Sequence, residues 1–436
     1  MTNTTNTSKN TTPDFEDQAI KDAPSAAQKI FGNSAKPMFG SGSKSRTPFK
    51  IGMIVALLAI LLVLPIYLQG TGEAFLLSAL IMVGLFTISA LGLNILVGYA
   101  GMLDFGRMAF YAVGAYAAAI VSIPIAGLLG PTLEQWTFPF ALILAGLTAA
   151  FVGWLLSLPV MRLRGDYLAI VTLGFGEIVR ITIQNNPFGI TNGMLGLPER
   201  GQNLPSPPFF DALRDMPAWD PGILDIYFTV TRNVYWFYVI LLVLIIAIIV
   251  VRCQDNSRLG RSWAAMREDE VAATAMGVNV AKAKTWAFVL GSFWGGVAGA
   301  CFVYLQGVVT PEPFNFFNSV IVLAIVVIGG MGSVPGVLLG GFLIMGFPEL
   351  IRWFAMNHLV DVGADIDGLV SSMRNLLLGL FMVLMMAFRT EGIIPAKRIK
   401  RKLFGTGGGN KSNETDGETD DAALATAAPK GGQAHE

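Results

Sequence analysis

The sequence predicts an all-α, polytopic membrane protein, and three observations carry that prediction. Of 436 residues, 53% are hydrophobic and only 14% are charged, against roughly 25% charged in soluble domains. The apolar residues gather into long runs, most reaching the ~17–25 residues that a helix needs to cross the hydrocarbon layer. Lys and Arg concentrate in a few of the intervening segments, as they do on the cytoplasmic side of a membrane protein.

Residues 1–47 are mostly Thr, Asn, Ser, Lys and Asp with scattered apolar residues. Such a segment buries too little apolar surface to offset the entropy of ordering it, so a disordered cytoplasmic tail is expected. A basic start followed at once by an apolar core is missing, which argues against a secretory signal peptide. The membrane domain is expected over 48–402, with apolar runs at 51–69, 75–97, 108–128, 138–158, 167–185, 235–252, 286–306, 317–330, 334–352 and 372–388. The fifth run carries Glu177 and Arg180 and the eighth is short, so either is open to a re-entrant reading. Residues 403–436, rich in Gly, Ala, Thr and Asp, return to a disordered tail.

Orientation follows from the basic clusters. Lys44, Arg46 and Lys50 precede the first run, Arg162 and Arg164 follow the fourth, six basic residues from Arg252 to Lys284 follow the sixth, and Arg389 to Lys402 follow the last. With about ten spans all four clusters fall on one side, the cytoplasm, with both termini inside. The loop 186–234 then lies outside, rich in proline and carrying Glu199, Asp211, Asp215, Asp220 and Asp225. Ten spans divide into two halves of five, which would be related as an inverted repeat. The glycine-dense breaks around Gly98, Gly101 and Gly106, and around Gly329, Gly330, Gly332 and Gly336, do not occupy matching places in those halves.

Several function classes are excluded or disfavoured. Thirty basic and thirty acidic side chains balance, so nothing in the charge suggests a nucleic-acid partner. Cys253 and Cys301 are far apart and read as packing residues, and two histidines, His358 and His435, cannot supply a metal or catalytic centre. No cofactor is expected. The strings GSGSKS at 40–45 and GGGNKS at 407–412 lack the glycine directly before the lysine that a phosphate loop requires, so any ATPase driving transport is another chain.

Four motifs stand out. In GYAGMLDFGRMAFYAVGAY, 98–116, glycines break the apolar pattern around Tyr99, Asp104 and Arg107. Unwound backbone at membrane depth is tolerated only inside protein or beside a water-filled cavity, so this segment is a candidate for the translocation path; the plainer reading is a cytoplasmic turn with a modest Asp104–Arg107 ion pair. In the fifth run Glu177, three residues before Arg180, is a further path candidate, since ionisable residues within a span are functional by default, and Thr172 with Leu173 and Gly174 is placed to line a narrow path. A Glu177–Arg180 pair that merely fixes packing, and a Thr172 that bonds its own backbone, are the plainer alternatives. The stretch FGITNGMLGLP, 188–198, reads as a tight external turn or a docking loop through Thr191, Asn192 and Gly193.

The fourth motif lies in the cytoplasmic loop 253–285. Over Gly260–Gly277, Trp263, Met266, Ala273 and Met276 fall at approximate helical spacing, with Arg261, Arg267, Glu268, Asp269 and Glu270 on the polar face. Asp269 is placed to cap a second short helix and Gly277 to end it. A helix resting on lipid headgroups would be plainly basic, whereas the three acids among the arginines suit a protein partner.

These pieces, together with VIGGMGSVPGVLLGG and FRTEGII, resemble over residues 75–395 the LivM-type permease subunits of bacterial importers for branched-chain amino acids driven by ATP-binding cassette (ABC) subunits. The resemblance implies an inner-membrane permease, not itself an enzyme, that pairs with a homologous permease, sits on two ATP-binding subunits and receives substrate from an external binding protein. It implies alternating access, and a coupling loop in which Arg261, Arg267, Glu268, Asp269, Ala272, Ala273 and Gly277 meet the ATPase. Asn192 departs from the family pattern by standing where glycine is usual. Permeases for urea or short amides, a self-sufficient secondary transporter and a membrane-embedded enzyme remain the competing classes. The few ionisable groups disfavour the last two.

Overall fold

Eight of the ten apolar runs are helical along most of their length in the computed structural model. The structure describes residues 61–68 except 66, 74–129, 137–198 except 162 and 164, and 232–358, with isolated positions between 376 and 394. The chain divides into two units, 1–63 and 64–436; residues 61–63, the described part of the first, are helical. Both expected tails, most of the runs 51–69 and 372–388, and most of the external loop lie outside the described residues.

The helices are α1 (Ala74–Asn94), α2 (Arg107–Leu129), α3 (Thr137–Val160), α4 (Asp166–Gln184), α5 (Arg232–Asp255), α6 (Arg258–Glu268), α7 (Glu270–Ala275), α8 (Val280–Gln306), α9 (Phe316–Gly329), α10 (Val334–Gly341) and α11 (Phe347–His358). A π-helical turn, Ile95–Tyr99, prolongs α1, and another, Phe342–Gly346, joins α10 to α11. Among the described residues six helical segments are long and apolar enough to cross a membrane, and Arg107–Ser122 and Phe316–Gly329 are shorter apolar helices. The chain is therefore a multi-pass, all-α membrane protein. The fifth apolar run is a full-length helix, and the eighth has 14 residues.

Helix α8 is the hub. Gly291, Gly295 and Gly299 recur every fourth residue and form a flat strip that lets neighbouring backbones approach, the arrangement that replaces hydrophobic attraction between helices in lipid. A Cβ at Gly299 would stand 2.9 Å from the Ala115 nitrogen, and one at Gly295 3.2 Å from Phe110 Cβ. A Cβ at Gly291 would come 3.1 Å from the Gly92 carbonyl oxygen. The Gly295–Phe110 and Gly299–Ala115 pairs rise together along both chains, so α2 runs parallel to α8. Gly92 faces Trp294 while Gly291 faces Leu96, so α1 runs antiparallel to it.

Two of the helices begin in the interior. The coil 100–106 turns back from the end of α1, and α2 starts at Arg107, level with Gly92 and Gly291. The coil after α8, which includes the short strand β2 (Val308–Val309), runs inward to α9. The starts of α2 and α9 meet: the Phe105 and Phe316 rings lie 5.9 Å apart, and the Met108 amide donates to Ser319 Oγ at 3.1 Å. From there the two helices diverge, α2 along α8 and α9 towards Gly332, whose amide donates to Asn94 Oδ1 near the end of α1 at 2.8 Å.

Candidate functional site

Asp104 and Arg107 do not form an exposed turn; both are completely buried. The Arg107 guanidinium donates through Nε to Ser89 Oγ at 3.2 Å, through Nη2 to the Ser89 carbonyl at 2.7 Å and through Nη1 to the Gly291 carbonyl at 2.8 Å. One side chain thus ties α1, α2 and α8 together at the level where α2 begins. Asp104 Oδ1 accepts the Gly106 amide at 2.9 Å, which places a carboxylate at the positive end of α2. Thr172 takes both roles open to it: its hydroxyl donates to the Ala169 carbonyl at 3.0 Å and accepts the Phe105 amide at 3.1 Å. Helix α4 is thereby fastened to the irregular segment. Tyr99 is buried in the π-helical turn just before it.

Glu177 and Arg180 pair at 2.8 Å on α4, with 31% and 27% of their side chains exposed. Helix α4 buries the smallest share of any candidate span, 22% of its apolar window. Leu103, Phe316 and Phe317, beside the meeting of the two coils, are also exposed. Irregular backbone and an ion pair on one open side of a membrane protein are poor partners for hydrocarbon.

The motif at 188–198 is a compact turn. Asn186 and Asn192 both adopt the left-handed conformation, at φ 50° and 56°, which asparagine tolerates better than other non-glycine residues. This is the physical ground on which Asn192 can stand in for a glycine. Asn186 Oδ1 accepts the amides of Thr191 and Asn192, each at 2.9 Å, and Asn192 Nδ2 donates to the Gly196 carbonyl at 2.8 Å. Thr191 and Gly193 are buried; Asn192 is exposed, as are the apolar side chains of Ile190, Met194 and Leu195, the last 82% exposed. The strand β1 (Leu197–Pro198) then pairs antiparallel with β2.

The loop between α5 and α8 folds into the two short helices expected. Ser257 caps α6, and Asp269 caps α7 by accepting the Val271 and Ala272 amides at 2.7 and 3.1 Å. Gly277, at φ 83°, ends it. Trp263, Met266 and Ala273 are buried, and Trp263 Nε1 donates to the Ala283 carbonyl at 2.8 Å. Met276 departs from the expected apolar stripe: it is 85% exposed, and Val271 is 64% exposed, because α7 turns that edge away from α8. The polar face is also less free than its composition suggests. Glu270 pairs with the buried Lys284 at 2.7 Å, and Arg267 donates to the Gly98 carbonyl. Burial pulls the Arg267 guanidinium below its ordinary pKa, with Glu268 acting in the opposite direction. Arg261, Arg267, Glu268, Asp269, Ala272 and Gly277 are all exposed, Arg267 while its guanidinium reaches Gly98. Cys301 is buried as expected of a packing residue, whereas Cys253 is exposed.

Sequence reasoning missed Ser89 and Gly291 as the partners of Arg107, and Val271 and Met276 as the outward surface of the loop. The four-residue glycine spacing was a signal for Gly291; a lone serine in an apolar helix offers none.

The profile of the family described as "Branched-chain amino acid transport system / permease component" matches residues 75–386. The chain is 39% identical over 326 residues to the high-affinity branched-chain amino acid transport system permease protein LivM of Escherichia coli K12, covering 73% of this chain and 70% of that protein. It is 38% identical over 342 residues to the LivM protein of Salmonella typhimurium, covering 77% and 72%. The permease protein LivH of E. coli K12 is 25% identical over 274 residues, 61% of this chain and 81% of that one. No solved structure matches. With the profile spanning both interior helix starts and the loop between α5 and α8, the chain belongs to the branched-chain amino acid transport permease family, in its LivM branch.

Proposed function

We propose that this chain is a permease subunit of an ABC importer in the bacterial inner membrane, moving branched-chain amino acids by alternating access with energy from ATP hydrolysed in partner subunits. The observation that carries the reading is the joining, in one LivM-type chain, of a re-entrant helical core to a two-helix loop that exposes Val271 and Met276. An exposed apolar edge on short, capped helices suits a groove on another protein. The coupling surface is assigned to Val271, Ala272 and Met276 with Arg261 and Glu268 beside them, while Asp269, Ala273 and Gly277 shape the helices that present it.

The open side of α4, with Glu177 and Arg180, and the neighbouring segment around Tyr99, Asp104, Arg107 and Thr172 are assigned to the translocation path, closed by a homologous permease. The turn at Thr191–Gly193 is assigned to the external face, where a binding protein would meet Met194 and Leu195. About ten spans with both termini inside accommodate these assignments. An inverted repeat would pair α1, the coil 100–106 and α2 with α8, the coil 307–315 and α9, since the two coils turn inward from opposite ends of α8. The repeat therefore aligns breaks of different composition, one rich in glycine and one containing Pro311 and Pro313.

The test is reconstitution with the partner permease, the ATP-binding subunits and the binding protein. Leucine-loaded binding protein is expected to stimulate ATP hydrolysis and drive leucine uptake. Uptake that persists without the ATP-binding subunits would instead make the chain a secondary transporter.

A further inference from the structure

Two polar attachments of the loop of α6 and α7 to the membrane helices stand out among the described residues. The first is to the base of α8, through Trp263 Nε1 on the Ala283 carbonyl and the Glu270–Lys284 pair. Lys284 is almost fully buried, so this side of the loop and the start of α8 are held as one body.

The second runs through Arg267, which leaves the last turn of α6 and donates from Nη1 to the carbonyl of Gly98, within the π-helical turn that ends α1. The carbonyls of Ile95 and Leu96 are already taken by the amides of Ala100 and Met102 at 3.1 and 2.9 Å. Gly98 is left with an outward carbonyl at the negative end of the helix, where a cation is favoured. The aliphatic part of Arg267 lies on Gly101, the residue at φ +73° where the chain turns back; a Cβ there would stand 2.8 Å from Arg267 Cγ and 3.3 Å from its Cβ. Glycine at 101 thus serves the reversed backbone and the seat for Arg267 together.

From Gly101 the chain runs directly into the segment that Thr172 fastens to α4 and that ends at Arg107 on Ser89 and Gly291. A displacement of α6 therefore reaches the beginnings of α2 and α9 through Arg267 without passing through α8. The π-helical turn is a suitable receiver, because such turns are locally less regular than α-helix and occur often at functional sites.

We infer that Arg267, though exposed, is a positioning residue that transmits movement of the coupling loop to the re-entrant segment 100–106 through its bond to Gly98, and not as a contact to the ATPase. This rests on the reading that α6 and α7 dock an ATP-binding subunit. It assigns Arg267 a role different from that of the other exposed residues beside it.

The test uses the complete transporter in proteoliposomes, with Arg267→Met, which keeps the aliphatic cover over Gly101 and removes the hydrogen bond. The variant is expected to co-purify with the ATP-binding subunits in the wild-type ratio and to keep basal ATP hydrolysis within about twofold. Leucine moved per ATP is expected to fall at least fivefold, with Arg267→Lys giving an intermediate ratio. A wild-type transport-to-ATP ratio in Arg267→Met overturns the inference, and so does loss of the ATP-binding subunits, which would make Arg267 a docking contact. If Arg267→Met does not accumulate, Arg267→Lys decides: a ratio indistinguishable from wild type overturns the inference, and a reduced ratio with intact co-purification supports it. A wild-type complex that neither assembles nor hydrolyses ATP would instead overturn the underlying assignment.

Discussion

At the scale of single residues the chain shows how a buried charge can be retained in a membrane protein. Arg107 is surrounded by apolar helices, yet Nε, Nη1 and Nη2 each meet an oxygen from α1 or α8, and Asp104 lies three residues before it. Removing the guanidinium would strip hydrogen bonds from two buried carbonyls and leave the Asp104 carboxylate without its nearby cation. Arg107→Met is expected to cost about 3–5 kcal/mol, the range seen when one member of a buried charged network is deleted. Thermal unfolding of the detergent-solubilised complex would register this, and a loss below about 1 kcal/mol would show that the network is not a structural centre. The presence of Arg107 was legible in the sequence. Its partners were not, because Ser89 and Gly291 are 18 and 184 residues away and become neighbours only through helix packing.

At the scale of elements, the loop of α6 and α7 follows local rules closely. Caps at Ser257 and Asp269 and a left-handed glycine at 277 set the helix ends, and all three act through bonds within a few residues, so sequence suffices to find them. Which side faces outward is a different matter: Trp263 and Met266 turn towards α8 while Met276 does not. Met276→Asp combined with Val271→Asp is expected to reduce co-purification of the ATP-binding subunits at least tenfold while the chain still inserts. Asp269→Asn, which preserves the cap, is expected to retain assembly. Undiminished co-purification of the double variant would remove these residues from the coupling surface. The turn at 186–196 teaches the same lesson: Thr191 and Asn192 were recognisable as turn residues, but Thr191 spends its hydroxyl on the Ile183 carbonyl at 2.8 Å, leaving Met194 and Leu195 exposed.

At the scale of the whole molecule, the question is which faces lipid can cover. Helix α3 exposes Phe140, Ile143, Leu147, Phe151, Trp154 and Leu158 along one side, an apolar surface suited to acyl chains. Helix α4 exposes a side that includes Glu177 and Arg180. Replacing both with leucine is expected to leave thermal stability within about 1 kcal/mol, as exposed pairs contribute little, and to lower leucine uptake at least tenfold. Unchanged uptake with a fall in stability would return the pair to a packing role.

Composition and the lengths of the apolar runs determined the fold class, because a chain that must satisfy its backbone in hydrocarbon has few structures open to it. Local chemistry likewise determined the helix ends in the loop and the place where glycine breaks the apolar pattern. Only the tertiary structure decided that α2 and α9 begin at a shared interior point, that Arg107 joins three helices, and that Arg267 reaches the Gly98 carbonyl while Met276 turns out. Helical periodicity groups residues by face, but the identity of what each face meets depends on neighbours distant in sequence, and those are supplied by packing along the glycine strip of α8.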